Sequence, residues 1–118
     1  MTRVLIVDDH DRVRAGVRAL LGPLRDLEVV GEAADGDQAV HLAARLRPDV
    51  VLMDVSMPVM DGIEATRRIR ALDPGIRVVV VTATAGRERD AYGAGAYGHV
   101  LKDAGPEELI GSLRLAAT

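Results

Sequence analysis

Short apolar runs alternate with amphipathic segments along the whole chain. Five apolar runs predict strands, at residues Val4–Val7, Leu27–Ala33, Val50–Met53, Val78–Val81 and His99–Leu101. Segments between them carry apolar residues at a spacing of three and four, which predicts helices at Asp11–Leu21, Gln38–Leu46, after Asp61 and from Pro106. Strands and helices therefore alternate from one end of the chain to the other.

Strict alternation of this kind predicts an α/β fold with a doubly wound parallel sheet. Five strand–helix units fit the flavodoxin-like (βα)5 architecture, with strand order 2-1-3-4-5. The length of 118 residues suits a single domain, residues 1–118. Four glycines lie between Thr82 and Lys102, so we expect the fourth helix to be short or mobile.

The predicted helices carry apolar faces. Those expected to face inward are Val13, Val17, Leu20 and Leu21 in the first helix, Ala65, Ile69 and Leu72 in the third, and Leu109, Ile110 and Leu113 in the last. Asp61 and Glu64 have the spacing of a capping box at the start of the third helix. The arginines of the first helix are expected on its solvated face.

Composition narrows the function classes. Apolar residues make up 48% of the chain, its net charge is −3, and it contains no cysteine, which excludes disulfides and thiolate metal sites. No cluster of Lys and Arg is present, so we expect no direct contact with nucleic acid. No long apolar run or signal sequence is found, so we expect a cytoplasmic protein without membrane contact.

Polar residues follow the predicted strands at the points where they end. Asp8 and Asp9 follow the first strand, Asp54 the third, Thr82 the fourth and Lys102 the fifth. Because the carboxyl ends of parallel strands meet at one edge, these side chains are expected to converge at the switch point of the sheet.

Three carboxylates in one crevice require cations. Oxygen ligands suit Mg²⁺, and Lys102 supplies a fixed positive charge. Such a site favours phosphoryl transfer, with Asp54 as the nucleophile that forms an aspartyl phosphate. Lys102 and the Thr82 hydroxyl would bind the phosphoryl oxygens.

At these residues the sequence resembles the receiver domain of two-component response regulators. The matching segments are VLIVDDH, PDVVLMDVSMP, DGIEATRRIR, VVVVTA and GAYGHVLKDA, and DDHDRVRAGVRALL and EVVGEAADG are similar to the NarL/FixJ branch. The resemblance implies that a histidine kinase phosphorylates Asp54. It also implies that the Ser56 carbonyl joins Asp8, Asp9 and Asp54 around Mg²⁺, and that Ala83 contacts the phosphoryl group with Thr82 and Lys102.

The resemblance also implies a conformational switch. Thr82 would move toward the phosphoryl group, followed by a Tyr or Phe three residues before Lys102, where this chain has His99. Tyr97 is an alternative for that role. The 4-5 face, the surface of the fourth helix and fifth strand, would then form a homodimer or release an output domain. Ser56 and Thr84 flank the site and are expected to influence the lifetime of the phosphoryl group.

Members of the NarL/FixJ branch usually carry a LuxR-type DNA-binding domain, which is absent from this chain. The expected function is thus phosphorylation-controlled transcription, with a stand-alone or degenerate receiver that acts by protein–protein binding as the alternative. A third hypothesis is a hydrolase of the haloacid-dehalogenase type. It would need an Asp two residues after the nucleophile, where this chain has Ser56, so a turnover enzyme is not expected.

Overall fold

The computed structural model describes residues 1–83 and 85–118, so Thr84 lies outside the described residues. The strands are β1 (Thr2–Val7), β2 (Leu27–Ala33), β3 (Val50–Asp54), β4 (Arg77–Thr82) and β5 (Gly98–Leu101). The helices are α1 (Asp11–Leu21), α2 (Gly36–Leu46), α3 (Gly62–Leu72), α4 (Glu88–Gly93) and α5 (Pro106–Ala117). The predicted alternation is confirmed, and each predicted strand lies within an observed one.

All five strands are parallel, in the order β2-β1-β3-β4-β5, as predicted. Val7 pairs with Met53, Asp54 with Val81, and Thr82 with Leu101. This register aligns the carboxyl ends of β1, β3, β4 and β5. The residues that follow these strands therefore emerge at one edge of the sheet.

The sheet separates two apolar layers. Alternate residues of β1 contribute to each layer, because Leu5 and Val7 face α2 and α3 while Val4 and Ile6 face α1 and α5. Helices covering both faces explain why the central strands have no polar alternation. No helix within residues 1–83 and 85–118 has the length and apolarity needed to cross a membrane.

Three expectations about helix faces were wrong. Leu72 is 51% exposed and Val13 is 38% exposed, although both lie at helical spacing with buried residues. Arg14 does not belong to a solvated face, because its side chain is only 13% exposed and reaches toward the end of β2. Periodicity identifies a stripe on a helix but not the extent to which neighbours cover it.

The helix starts follow local chemistry. The side chains of Asp35 and Asp61 each accept a hydrogen bond from a backbone N–H three residues later, which caps α2 and α3. The capping box at α3 is only half formed, because the Glu64 carboxylate pairs with Arg67 and Arg68. The prediction of a short fourth helix is confirmed, since α4 contains six residues.

Candidate functional site

Three strand ends meet in one ion-pair cluster. The ammonium nitrogen of Lys102 lies 3.2 Å from Asp8 Oδ2 and 3.2 Å from Asp54 Oδ1. Both aspartates are buried, whereas the Lys102 side chain is 29% exposed. The parallel register thus brings Asp54 and Lys102, which lie 46 and 94 positions after Asp8 in the chain, to the edge predicted from the sequence.

The electrostatics of this cluster are unbalanced. Burial, followed by the negative charge of Asp8, raises the pKa of the Asp54 carboxyl above its ordinary value, against the opposing effect of Lys102. Burial lowers the pKa of the Lys102 ammonium, but the neighbouring carboxylates of Asp54 and Asp8 outweigh it and raise that pKa overall. One ammonium group therefore leaves the carboxylates with excess negative charge.

Two carboxylate oxygens at this edge are buried without a hydrogen-bond partner among the described residues, Asp9 Oδ1 and Asp54 Oδ2. Buried polar atoms are normally satisfied, so such oxygens indicate a missing partner. Hard oxygen ligands in an acidic crevice are the donors that Mg²⁺ prefers. The residues present therefore fit a divalent cation of this kind.

His10 belongs to the same acidic cluster, which reasoning from the sequence did not identify. Its Nδ1 lies 3.2 Å from Asp8 Oδ1 and 3.1 Å from Asp9 Oδ1, and its backbone N–H donates to Asp8 Oδ1 at 2.9 Å. These three residues are grouped closely enough to hold a metal ion. The only signal in the sequence was the position of His10 directly after the paired aspartates.

Arg14 was also missed as part of the site. Its guanidinium donates to the backbone carbonyl of Asp8 and to the carboxylate of Asp11, and its Nε lies 3.1 Å from Glu32 Oε1 at the end of β2. Arg14 therefore connects the loop after β1 to the neighbouring strand, and it fixes the backbone that carries Asp8.

Thr82 ends β4 and is buried, as expected for a residue at the site edge. Its Oγ1 lies 2.9 Å from Nε2 of His99 on β5, so the two residues of the expected switch are in direct contact. Tyr97 is not brought to Thr82. It precedes β5, at the end of the strand away from Thr82. There the Arg77 guanidinium lies over the Tyr97 ring, 4.6 Å from the ring centroid.

Ser56 and Ala83 are both exposed and follow the strands that end in Asp54 and Thr82. Their positions in the chain put both residues at the edge where the three carboxylates lie.

Comparison with known proteins agrees with this fold. The family model for the response regulator receiver domain matches residues 4–114. This chain belongs to the receiver domain family. As such it is a signalling protein of two-component systems and not a turnover enzyme.

The receiver is similar to those of NarL-type response regulators. The response regulator GacA of Pseudomonas aeruginosa is 46% identical over 97% of this chain, and the nitrate/nitrite response regulator NarL of Escherichia coli is 40% identical over 97%. Each alignment covers 54% of the relative, so the chain spans about half the length of these curated proteins. The solved structure of a LuxR-family response regulator from an Aurantimonas species superposes with a TM-score of 0.94 and 39% identity, over 99% of this chain and 85% of that one.

The edge of the receiver that carries Asp54 is packed tightly against the start of α3. A Cβ added to Gly62 would lie 2.0 Å from the Asp54 carbonyl oxygen, and the Gly62 N–H donates to the Val55 carbonyl at 2.9 Å. In the intervening loop, Val59 has a φ of 70°, and the Met60 N–H donates to the Pro58 carbonyl at 2.8 Å, as in a γ-turn. This tight packing fixes the backbone on which Asp54 stands.

An apolar cleft of about 390 Å³ opens beside the site, between α1 and α5. Asp8, Asp54 and Lys102 lie at its polar end, and the walls include Val13, Val17, Leu20, Val100 and Leu109. The cleft explains the exposure of Val13, because α5 does not close over this part of α1.

Proposed function

We propose that this receiver accepts a phosphoryl group on Asp54 from a sensor histidine kinase, with Mg²⁺ bound at the same edge. The observation that carries the proposal is the state of the Asp54 carboxylate. One oxygen is paired with Lys102, while the other, Oδ2, is buried without a hydrogen-bond partner in the part of the chain that the structure describes. A free carboxylate oxygen at the mouth of a cleft is the group that a phosphoryl transfer needs.

In the proposed reaction, an Asp54 carboxylate oxygen attacks the phosphorus of a phosphohistidine. A new O–P bond forms as the P–N bond breaks, and the leaving ring keeps the electron pair and departs as neutral imidazole, because its other nitrogen already carries a proton. Lys102 would remain beside the acceptor and offset charge on the phosphoryl oxygens. The Thr82 hydroxyl and the Ala83 backbone N–H would donate hydrogen bonds to those oxygens.

Asp8, Asp9, Asp54 and the Ser56 carbonyl would hold the magnesium ion. The bound ion would supply positive charge that offsets the phosphoryl oxygens during transfer. His10 and Arg14 would position the loop that carries Asp8 and Asp9. Mg²⁺ would then be bound by Asp9 Oδ1, which forms no hydrogen bond among the described residues although His10 Nδ1 lies 3.1 Å away.

The test is the intact mass of the protein after incubation with phosphoramidate and Mg²⁺. We expect a gain of one phosphoryl group that is lost in Asp54→Asn and in the presence of a chelator. Asp37→Asn is the matched control, because it makes the same chemical change at an exposed position in the first turn of α2. Absence of the gain in folded wild-type protein would contradict phosphorylation and favour the degenerate receiver that acts by binding alone.

We further propose that phosphorylation changes the 4-5 face and thereby controls a LuxR-type DNA-binding output, through homodimers or contact with the output domain. Support comes from GacA and NarL, whose full lengths are about twice that of this chain. The exposed ring of Tyr92 in α4 also offers aromatic surface on this face. Light scattering with and without the phosphate analogue beryllofluoride tests the dimer, and an unchanged mass would contradict it.

A further inference from the structure

The cleft between α1 and α5 is large enough for a small organic molecule. Its volume of about 390 Å³ lies within the range of small-molecule pockets, which is about 300–1,000 Å³. Ile6 and Val100 form part of its floor and belong to the buried layer beneath the two helices. The chain has no Phe or Trp, and neither of its tyrosines lines the cleft. Aliphatic side chains therefore line a space that aromatic rings do not fill.

The walls of the cleft can be reached from solvent. Val13 is 38% exposed, and Val17, Leu20 and Leu109 are each partly exposed. Apolar surface in a concave site is favourably removed from water when an apolar ligand covers it. The cleft therefore favours a ligand with an apolar body.

The charge at the polar end of the cleft restricts the ligand further. Among the described residues, the charged ones that line the cleft are Asp8, Asp54 and Lys102. Two carboxylates and one ammonium group leave one negative charge without a counterion. Lys102 already lies 3.2 Å from a carboxylate oxygen of each aspartate, whereas Asp54 Oδ2 is buried and has no hydrogen-bond partner in the described chain. A cationic group would offset the excess charge there, and an anionic group would add to it.

We infer that the cleft is a binding site for a small amphipathic amine, with its apolar body between α1 and α5 and its ammonium group beside Asp54. A protonated amine has only hydrogen-bond donors, which is what an unpartnered carboxylate oxygen requires. A bare metal ion could occupy the acidic end, but it would leave the apolar walls uncovered. A fatty acid would suit the walls, but its carboxylate would lie beside other carboxylates.

This binding does not depend on phosphorylation of Asp54. It would nevertheless affect the proposed function, because an amine beside Asp54 would cover the acceptor carboxylate and exclude a phosphodonor. The cleft would then make phosphorylation sensitive to a small molecule as well as to a kinase.

Amide NMR of the metal-free protein, with chelator and without a phosphodonor, tests the site. The probe is naphthylethylamine, and naphthylacetate carries the same rings with the opposite charge. We expect the amine to shift the signals of Val13, Val17 and Leu109 until the site is saturated. It should bind at least about 10-fold more tightly than the acetate, because its charge is opposite to that of the polar end. Equal affinities, or shifts confined to other parts of the chain, would overturn the inference.

Asp54→Asn tests the role of charge. It leaves Asp8 and Lys102 as a balanced pair at the polar end, so the amine and the acetate should bind with similar affinities. Asp37→Asn makes the same change at an exposed position of α2 and should keep the preference for the amine. A preference that persists in Asp54→Asn would overturn the inference.

Gly16→Leu tests the position of the ligand. Gly16 lines the cleft from α1, and a Cβ added there has no atom within 4 Å, so a leucine side chain can extend into the space. Gly111 in α5 is the matched control, because its added Cβ is equally free and it does not line the cleft. Both changes improve helix propensity. Gly16→Leu should weaken binding of the amine at least about 10-fold, whereas Gly111→Leu should not change it. Equal affinities in the two variants would overturn the assignment to the cleft.

None of these measurements involves phosphoryl transfer. Loss of phosphorylation in protein that still binds the amine would contradict only the proposed function. Absence of amine binding in protein that still gains a phosphoryl group would overturn only the inference, so the two failures are distinguishable.

Discussion

At the scale of single residues, the Asp54 carboxyl combines burial, a neighbouring carboxylate and one cation. Burial and the charge of Asp8 raise its pKa in the folded protein above the ordinary value of 3.8. A carboxyl with a raised folded-state pKa contributes stability below its unfolded-state pKa, and this contribution is lost as pH rises through the folded-state pKa. At neutral pH without divalent ions, the charge on Asp54 therefore opposes folding.

Asp54→Asn should accordingly stabilise the metal-free domain at pH 7 by about 1 kcal/mol. The amide removes the buried charge, and Lys102 keeps its partner Asp8. Urea unfolding in the presence of chelator measures the difference, which should shrink as pH falls toward 3.8. If Asp54→Asn changed the free energy of unfolding by the same amount at pH 7 and at pH 4, the charge argument would be contradicted. The control Asp37→Asn should change the free energy of unfolding little at either pH.

Sequence reasoning placed most of the candidate site residues at one edge because each lies at the carboxyl end of a strand. Parallel pairing alone brings Asp8, Asp54 and Lys102 to one edge, so no side-chain detail was needed. The roles of His10 and Arg14 depend instead on the path of the loop after β1 and on which way each side chain turns. Neither property has a periodic signal in the sequence.

At the scale of elements, the junction between β3 and α3 is the tightest contact near the site. Gly62→Ala should destabilise the domain by at least about 3 kcal/mol, because its Cβ would lie 2.0 Å from the Asp54 carbonyl oxygen. Chemical denaturation measures the loss. Gly111→Ala is the matched control in α5, where no atom lies within 4 Å of the added Cβ, and it should stabilise by about 0.5–1 kcal/mol. Similar effects of both changes would refute the steric explanation.

The start of α1 is tied to the site through Arg14. Arg14→Ala would free the Asp8 carbonyl and Oε1 of Glu32, whose other oxygen stays paired with Arg18, so the proposed Mg²⁺ affinity should fall about 10-fold. Isothermal titration calorimetry measures this change. Arg12→Ala, two residues earlier at an exposed position of the same helix, should leave the affinity unchanged. Equal losses for both variants would point to general charge rather than to the loop contact.

Element bounds were predictable because apolar runs, prolines and glycines mark them directly. The extent to which neighbouring elements bury each helix was not predictable, since it depends on the distance between helices on the same face of the sheet. The exposure of Val13 follows from the cleft between α1 and α5, a tertiary feature that no single helix encodes.

At the scale of the whole molecule, the acidic edge exists only when four strands have assembled. A cation bound there is therefore linked to the stability of the entire domain. We expect Mg²⁺ at about 100 times its dissociation constant to add about 2.7 kcal/mol, or roughly 10 °C in Tm. Differential scanning calorimetry measures the shift, which Asp9→Asn should reduce and Asp37→Asn should not. An equal shift in both variants would contradict binding at this edge.

The order of the strands in the sheet also determines when the partners of each strand become available during synthesis. β1 has β2 and β3 as its neighbours, and the backbone N–H of Arg3 donates to Asp49, 46 residues further along the chain. A ribosome therefore releases β1 well before its central partner emerges, and the ammonium group that faces Asp8 and Asp54 follows only at residue 102. A nascent chain that stops short of this lysine has its aspartates but lacks the cation that joins them.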